Sequence, residues 1–157
     1  MPQFITNVQA TGDAAAAEAA FIALTVPAGL TIEIVRIRVS VQTAAAVDSI
    51  RVRFLRCSSL GSGPTSGTAV KKNPINAASL VTVSVKNGAT DWIPGTVVDV
   101  LEDINFVGRS MIEWEAINND DKIIMNGNDS SNIFIVSTNP DTTASLLQCV
   151  TVEWKEM

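Results

Sequence analysis

The chain has 157 residues, 46% of them apolar and only 17% charged, with a net charge of −5 and neither histidine nor tyrosine. So acidic a chain lacks the positive field that broad nucleic-acid binding needs, and at 5% aromatic it lacks a base-stacking platform. Without histidine, triads of the Ser-His or Cys-His kind are excluded, as are most zinc and copper sites.

The length suits one domain with a sizeable core. Soluble chains average about 25% charged residues, so this surface is unusually neutral. Oligomerisation or docking onto a larger body is the natural relief. No apolar run is long enough to span a membrane, and residues 1–4 carry no basic region or signal-peptide core. Synthesis and retention in the cytosol are expected, unless the protein leaves as part of an assembly.

Residues 3–9 read as a short strand or an arm. Asp13 followed by the alanines of 14–20 permits a short helix or a linker, with the extended reading favoured. Residues 1–20 are therefore taken as an arm or linker segment, possibly part of the domain, and 21–157 as a single sandwich domain. Phe21 to Val26 is a strand ending at Pro27-Ala28-Gly29, a strong turn signal. The longest strand spans 31–42, with Val35, Ile37, Val39 and Val41 on one side and Arg36, Arg38, Ser40 and Gln42 on the other. Its phase slips near Ile34, which predicts a bulge. After a turn at 43–47, residues 48–57 return with Ile50, Val52 and Phe54 inward and Arg51 and Arg53 outward.

Residues 58–67 form a glycine-, serine- and proline-rich stretch, read as a flexible exposed loop. Pro74 confines 68–75 to an edge or loop. Residues 80–86 alternate, and Asn87-Gly88 marks a turn. Strands at 96–101 and 110–117 follow; the second places Ile112, Trp114 and Ala116 inside and Glu113 and Glu115 outside. A turn at 118–121, a strand at 122–125, a turn at 126–129, and strands at 132–138 and 145–154 complete the chain. Val150, Val152 and Trp154 make the last inward row. The reading is all-β, with eight to nine strands in an antiparallel β-sandwich or jelly-roll-like domain.

Arg36/Arg38 and Arg51/Arg53 are the sharpest local feature. Their strands are joined by a short turn, so the four are expected on one sheet face. Like charges side by side are destabilising, so acids should lie nearby, with Glu113, Glu115 and Glu153 as candidates. The face is either an intramolecular ionic ladder or a docking patch for an acidic partner. Glu113 and Glu115 point the same way from one strand, whereas glycosidase carboxylates flank their substrate. Asp120, Asp121, Asn128 and Asp129 have oxygens suited to calcium but not the spacing of an EF-hand loop. Residues 132–138 are apolar on both faces. Such a strand is central and covered, or lies at a contact; Phe134 and Val136 are the interface candidates. Cys57 and Cys149 are read as free thiols, with a sandwich disulfide as the other pairing. No catalytic set, metal site or cofactor is expected.

Three stretches resemble the head decoration, or cement, proteins of tailed bacteriophages. Thr25-Val26-Pro27-Ala28-Gly29 leads into a long strand ending Arg36-Ile37-Arg38-Val39-Ser40. Val52-Arg53-Phe54-Leu55-Arg56 opens onto a Ser/Gly/Thr loop closing at Gly67-Thr68-Ala69-Val70, and 145–154 is the final amphipathic strand. Residues 14–20 and 99–103 fall outside the resemblance. The likeness implies an all-β virion protein that binds the outside of a capsid, as a trimer over sites where major capsid protein subunits meet, and carries no catalysis. The alternative is a carbohydrate- or receptor-binding sandwich of a phage tail or bacterial surface, with Trp92 as the sugar contact.

Overall fold

A computed structural model describes residues 1–12, 18–42, 49–106, 111–140 and 146–157. Among the described residues twelve strands run in chain order: β1 (Gln3–Thr11), β2 (Ala19–Thr25), β3 (Thr31–Val41), β4 (Ile50–Cys57), β5 (Pro64–Ser66), β6 (Val70–Lys71), β7 (Thr82–Lys86), β8 (Val97–Phe106), β9 (Met111–Glu115), β10 (Ile123–Asn126), β11 (Ile133–Pro140) and β12 (Leu147–Glu156). The surplus over eight or nine includes the short pieces β5 and β6. A 3-10 turn at Asn119–Asp121 is capped by the Asn118 side chain, which accepts from the Asp120 and Asp121 amides.

The strands form two six-stranded antiparallel sheets. Sheet A has the order β10-β3-β12-β1-β6, and β9 also pairs with β3; sheet B has the order β5-β7-β2-β11-β4-β8. The protein is an all-β sandwich.

Period-2 alternation explains the core. Phe4, Val8 and Ala10 of β1, Ile37 and Val39 of β3, and Val150, Val152 and Trp154 of β12 point from sheet A toward sheet B. From sheet B, Ile22, Leu24, Val52, Phe54, Phe134 and Val136 meet them. Phe4 stacks on Trp154 with ring centroids 5.8 Å apart, and Trp114 meets Phe54 edge-on at 5.5 Å. Each large apolar side chain so buried contributes about 1.5–3 kcal/mol.

Residues 3–11 are no detached arm. β1 pairs with β12 along its whole length, from Gln3 opposite Lys155 to Thr11 opposite Leu147. Ala19 and Ala20 open β2, so the extended reading holds there; a helix at 14–17 lies outside the described residues. The expected bulge sits at Val35: Trp154 lies opposite Ile34 and Glu153 opposite Arg36, leaving Val35 without a partner. The edge partner of β3 changes at the same place, from β9 at Arg36 to β10 at Ile34. The Asn87-Gly88 turn is present, with Gly88 at φ 56° and the Thr90 amide donating to the Asn87 carbonyl at 2.9 Å.

Two loops cross the outside of sheet B in opposite directions. Residues 58–63 lead from β4 to β5, and residues 87–96 lead from β7 to β8, each passing over the central strands. The loops lie backbone against backbone. A Cβ on Gly63 would sit 2.2 Å from the Asp91 carbonyl oxygen, and one on Gly95 would sit 2.3 Å from that of Ser59. The glycines of 58–67 therefore serve close approach. The stretch is pinned, not loose: the Ser58 amide donates to the Thr96 carbonyl at 3.0 Å, and β5 pairs with β7.

Candidate functional site

Arg36 and Arg38 project outward from β3 on sheet A. Cross-strand register places Arg36 between Glu115 and Glu153, and Arg38 opposite Glu113. The Arg38 Nε donates to Glu113 Oε2 at 2.6 Å. Glu153 is the hub: it accepts from Lys72 Nζ at 2.6 Å and lies 3.9 Å from Arg36 and 3.8 Å from Arg38. Its side chain is only 6% exposed, against 29% for Arg36 and 39% for Lys72. Glu33 extends the row, 3.4 Å from Lys122 and 3.7 Å from Lys155. The outer face of sheet A is thus an ionic ladder within the chain.

Arg51 and Arg53 do not share that face. β3 lies in sheet A and β4 in sheet B. The expectation of one four-arginine face is corrected accordingly. Alternation fixes in and out along a strand but not which sheet the strand joins. Arg51 donates to both carboxylate oxygens of Asp103 on β8, with Nε to Oδ1 at 2.8 Å. That hydrogen bond holds the Asp103 carboxyl below its usual range and raises the Arg51 guanidinium. Arg53 Nη1 grips both oxygens of Glu18 at 3.0 and 2.9 Å, and the buried Ser137 hydroxyl donates to Glu18 Oε1 at 2.6 Å. Arg56 meets Asp99 at 3.1 Å. Glu18, Asp99 and Asp103 are partners that the sequence reading did not find; Asp99 and Asp103 become visible only once β8 is known to lie beside β4.

Phe134 and Val136 are fully buried between the sheets, which overturns their reading as interface residues. β11 is the strand between β2 and β4, so both its faces need cover. Its other face carries Ile133 and Ile135, which form a second cluster with Ala20, Ala23, Leu55 and Cys57. Trp92 and Leu60 roof that cluster.

Trp92 is likewise fully buried. Its indole N–H donates to the Leu60 carbonyl at 2.7 Å, and its own carbonyl accepts from the Ala20 amide at 2.8 Å. A ring committed in this way offers no face to a sugar, and the assignment of Trp92 as a carbohydrate contact is withdrawn.

Asp120 and Asp121 precede β10, whereas Asn128 and Asp129 follow it. Asn128 Oδ1 is used to accept from the Gly29 amide at 3.0 Å. Among the described residues, no group of three or more His, Cys, Asp or Glu is placed to hold a metal. Cys57 and Cys149 are free thiols, and burial pushes the Cys57 thiol up to about 11.

The remaining surface carries exposed apolar side chains alongside the exposed acids Asp91, Asp120, Asp121 and Asp129. Ile75 is 87% exposed, Leu80 67% and Ile117 92%. One apolar groove lies between Pro2, Leu30, Leu80 and Met157. Another, more mixed, lies where residues 67–70 diverge from β1, lined by Ile5, Asn7, Thr68, Val70 and Val85. Among the described residues, no helix is long and apolar enough to cross a membrane. Neither a family model, nor a curated protein, nor a solved structure matches the chain.

Proposed function

We propose that this chain is a structural virion protein that binds the outer surface of a phage capsid and stabilises the shell. In this reading it acts without catalysis, as a homo-oligomer with a trimer favoured, and its partner is the major capsid protein. It is made in the host cytoplasm and resides on the virion.

The observation that carries the proposal is how the charges are used. The arginines on both outer faces are engaged by acids of the same chain. Beside these pairs the surface offers a scatter of exposed apolar side chains such as Ile75, Leu80 and Ile117. A rigid body with neutral contact points suits adhesion to a repeating lattice, where many weak contacts add by avidity. The resemblance of the strand and turn segments to capsid cement proteins points the same way.

The test is co-sedimentation of the purified protein with expanded phage shells, together with light scattering on a sizing column. Saturable binding by a compact oligomer is expected. A stable monomer with no affinity for shells would overturn the reading.

A further inference from the structure

Sheet edges expose unpaired backbone groups and invite pairing with other chains, so proteins guard them with charge, proline, bulges or brevity. Most edges here follow that rule. β8 carries Asp99, Glu102 and Asp103 and two register shifts. β9 is five residues long with Glu113 and Glu115. β5 begins with Pro64, and β6 has two residues.

β1 breaks the rule. Its sequence, Gln-Phe-Ile-Thr-Asn-Val-Gln-Ala-Thr, has no charge, proline or glycine, and its pairing with β12 has no register shift. On its other edge, among the described residues, β6 pairs with β1 only at Phe4 and Ile5. The hydrogen bonds say which groups are left over. The Gln3 carbonyl accepts from Lys72 on the β6 side, and the Gly12 amide donates to Leu146 on the β12 side. Backbone groups alternate along a strand, so Asn7, Gln9 and Thr11 direct their N–H and C=O to the uncovered edge. Past Ile5, residues 67–70 turn away toward sheet B, where the Gly67 amide donates to the Val83 carbonyl, and this opens the groove lined by Asn7 and Thr68.

We infer that this edge is an interface, and that its occupant is β1 of a second copy. An antiparallel two-fold pairing that matches outward-facing groups, and stops short of β6, sets Gln9 opposite Gln9 of the partner and Asn7 opposite Thr11 of the partner. A strand that faces itself meets its own charges, so neutrality is a requirement of self-pairing. β1 satisfies it. β8 would bring acid against acid. The pairing joins two A sheets into one and continues the Val8 and Ala10 row of the core across the contact.

This is a two-fold contact, independent of the three-fold cluster proposed on a capsid; an icosahedral lattice contains both kinds of axis. The test is sedimentation velocity across a concentration series for wild type, Gln9→Pro and Gln9→Lys. Proline removes a donor that faces away from β12, and lysine places two ammonium groups face to face without touching the β1–β12 hydrogen bonds. Wild type should associate reversibly, and both variants should weaken association at least ten-fold with unchanged circular dichroism. If Gln9→Pro loses the fold, Gln9→Lys decides. A wild type that stays monomeric, or an association indifferent to the variants, overturns the pairing. Shell co-sedimentation of Gln9→Lys reports separately on the capsid proposal, so the two can fail independently.

Discussion

Trp92 and Leu60 meet at 2.7 Å, indole N–H to carbonyl oxygen, and in doing so join the two loops that cross sheet B. Leu60 belongs to one crossing segment and Trp92 to the other. Beneath them lie Ile133 and Ile135, which would otherwise face water.

Replacing Trp92 by alanine is expected to destabilise the fold by about 3–5 kcal/mol, the range for emptying a buried aromatic site. Trp92→Phe keeps most of the apolar cover and loses the hydrogen bond, at about 1 kcal/mol. Urea denaturation of both variants separates the two contributions. Equal losses would show that the roof depends on the hydrogen bond alone.

The close approach of the two loops predicts a contrast between glycines. Gly29 has φ 82° and open space around it, so Gly29→Ala carries only a left-handed backbone cost of about 1 kcal/mol. Gly95→Ala drives a methyl group against the Ser59 carbonyl. Its loss in thermal and urea unfolding should exceed that of Gly29→Ala. The reverse order would mean that the loops part easily.

The thiols should separate by reactivity. Cys57 is buried with its thiol raised to about 11, while Cys149 is partly exposed. A disulfide reagent at pH 8 should label Cys149 first and reach Cys57 only on unfolding. A thiol held protonated in the folded state also binds its proton longer than the unfolded chain does. Stability is therefore intact below about 9 and declines as pH rises above it, up to about 11. Cys57→Ser should abolish that alkaline decline in Tm.

Asp103 acts at the other end of the scale. Its carboxyl is held below the ordinary value by Arg51, so the pair contributes above the unfolded carboxyl range and is lost as pH falls through the folded value. Asp103→Asn should flatten the acid limb of Tm against pH, slightly and only at low salt, because the pair is exposed.

Much of the fold was legible in the residues. Alternation placed Ile37 and Val39 of β3 and the Val150, Val152 and Trp154 row of β12, but Val35, expected inward, sits at the bulge outside the core, where the phase near Ile34 is lost. β5 and β6 were not legible, since three- and two-residue strands carry no periodicity. The arginine faces failed for a different reason. A short connection implies a hairpin, yet the chain changes sheets between Val41 and Ile50. Trp92 misled because it stands among Asp91, Ile93 and Pro94, which read as a surface loop. A signal was nonetheless present: a strand apolar on both faces needs a lid, and the loops hold few large apolar residues to make one. The lid covers Ile133 and Ile135, while Phe134 and Val136 face the opposite sheet.

The crossing loops also bear on the order in which the molecule assembles. They can settle only on a platform already built from β2, β4 and β11, whose members come from distant parts of the chain. Such topology makes for slow folding. Closure of the roof is then expected to come last in renaturation, with the fluorescence of Trp92 lagging behind that of Trp114 and Trp154 in a refolding time course.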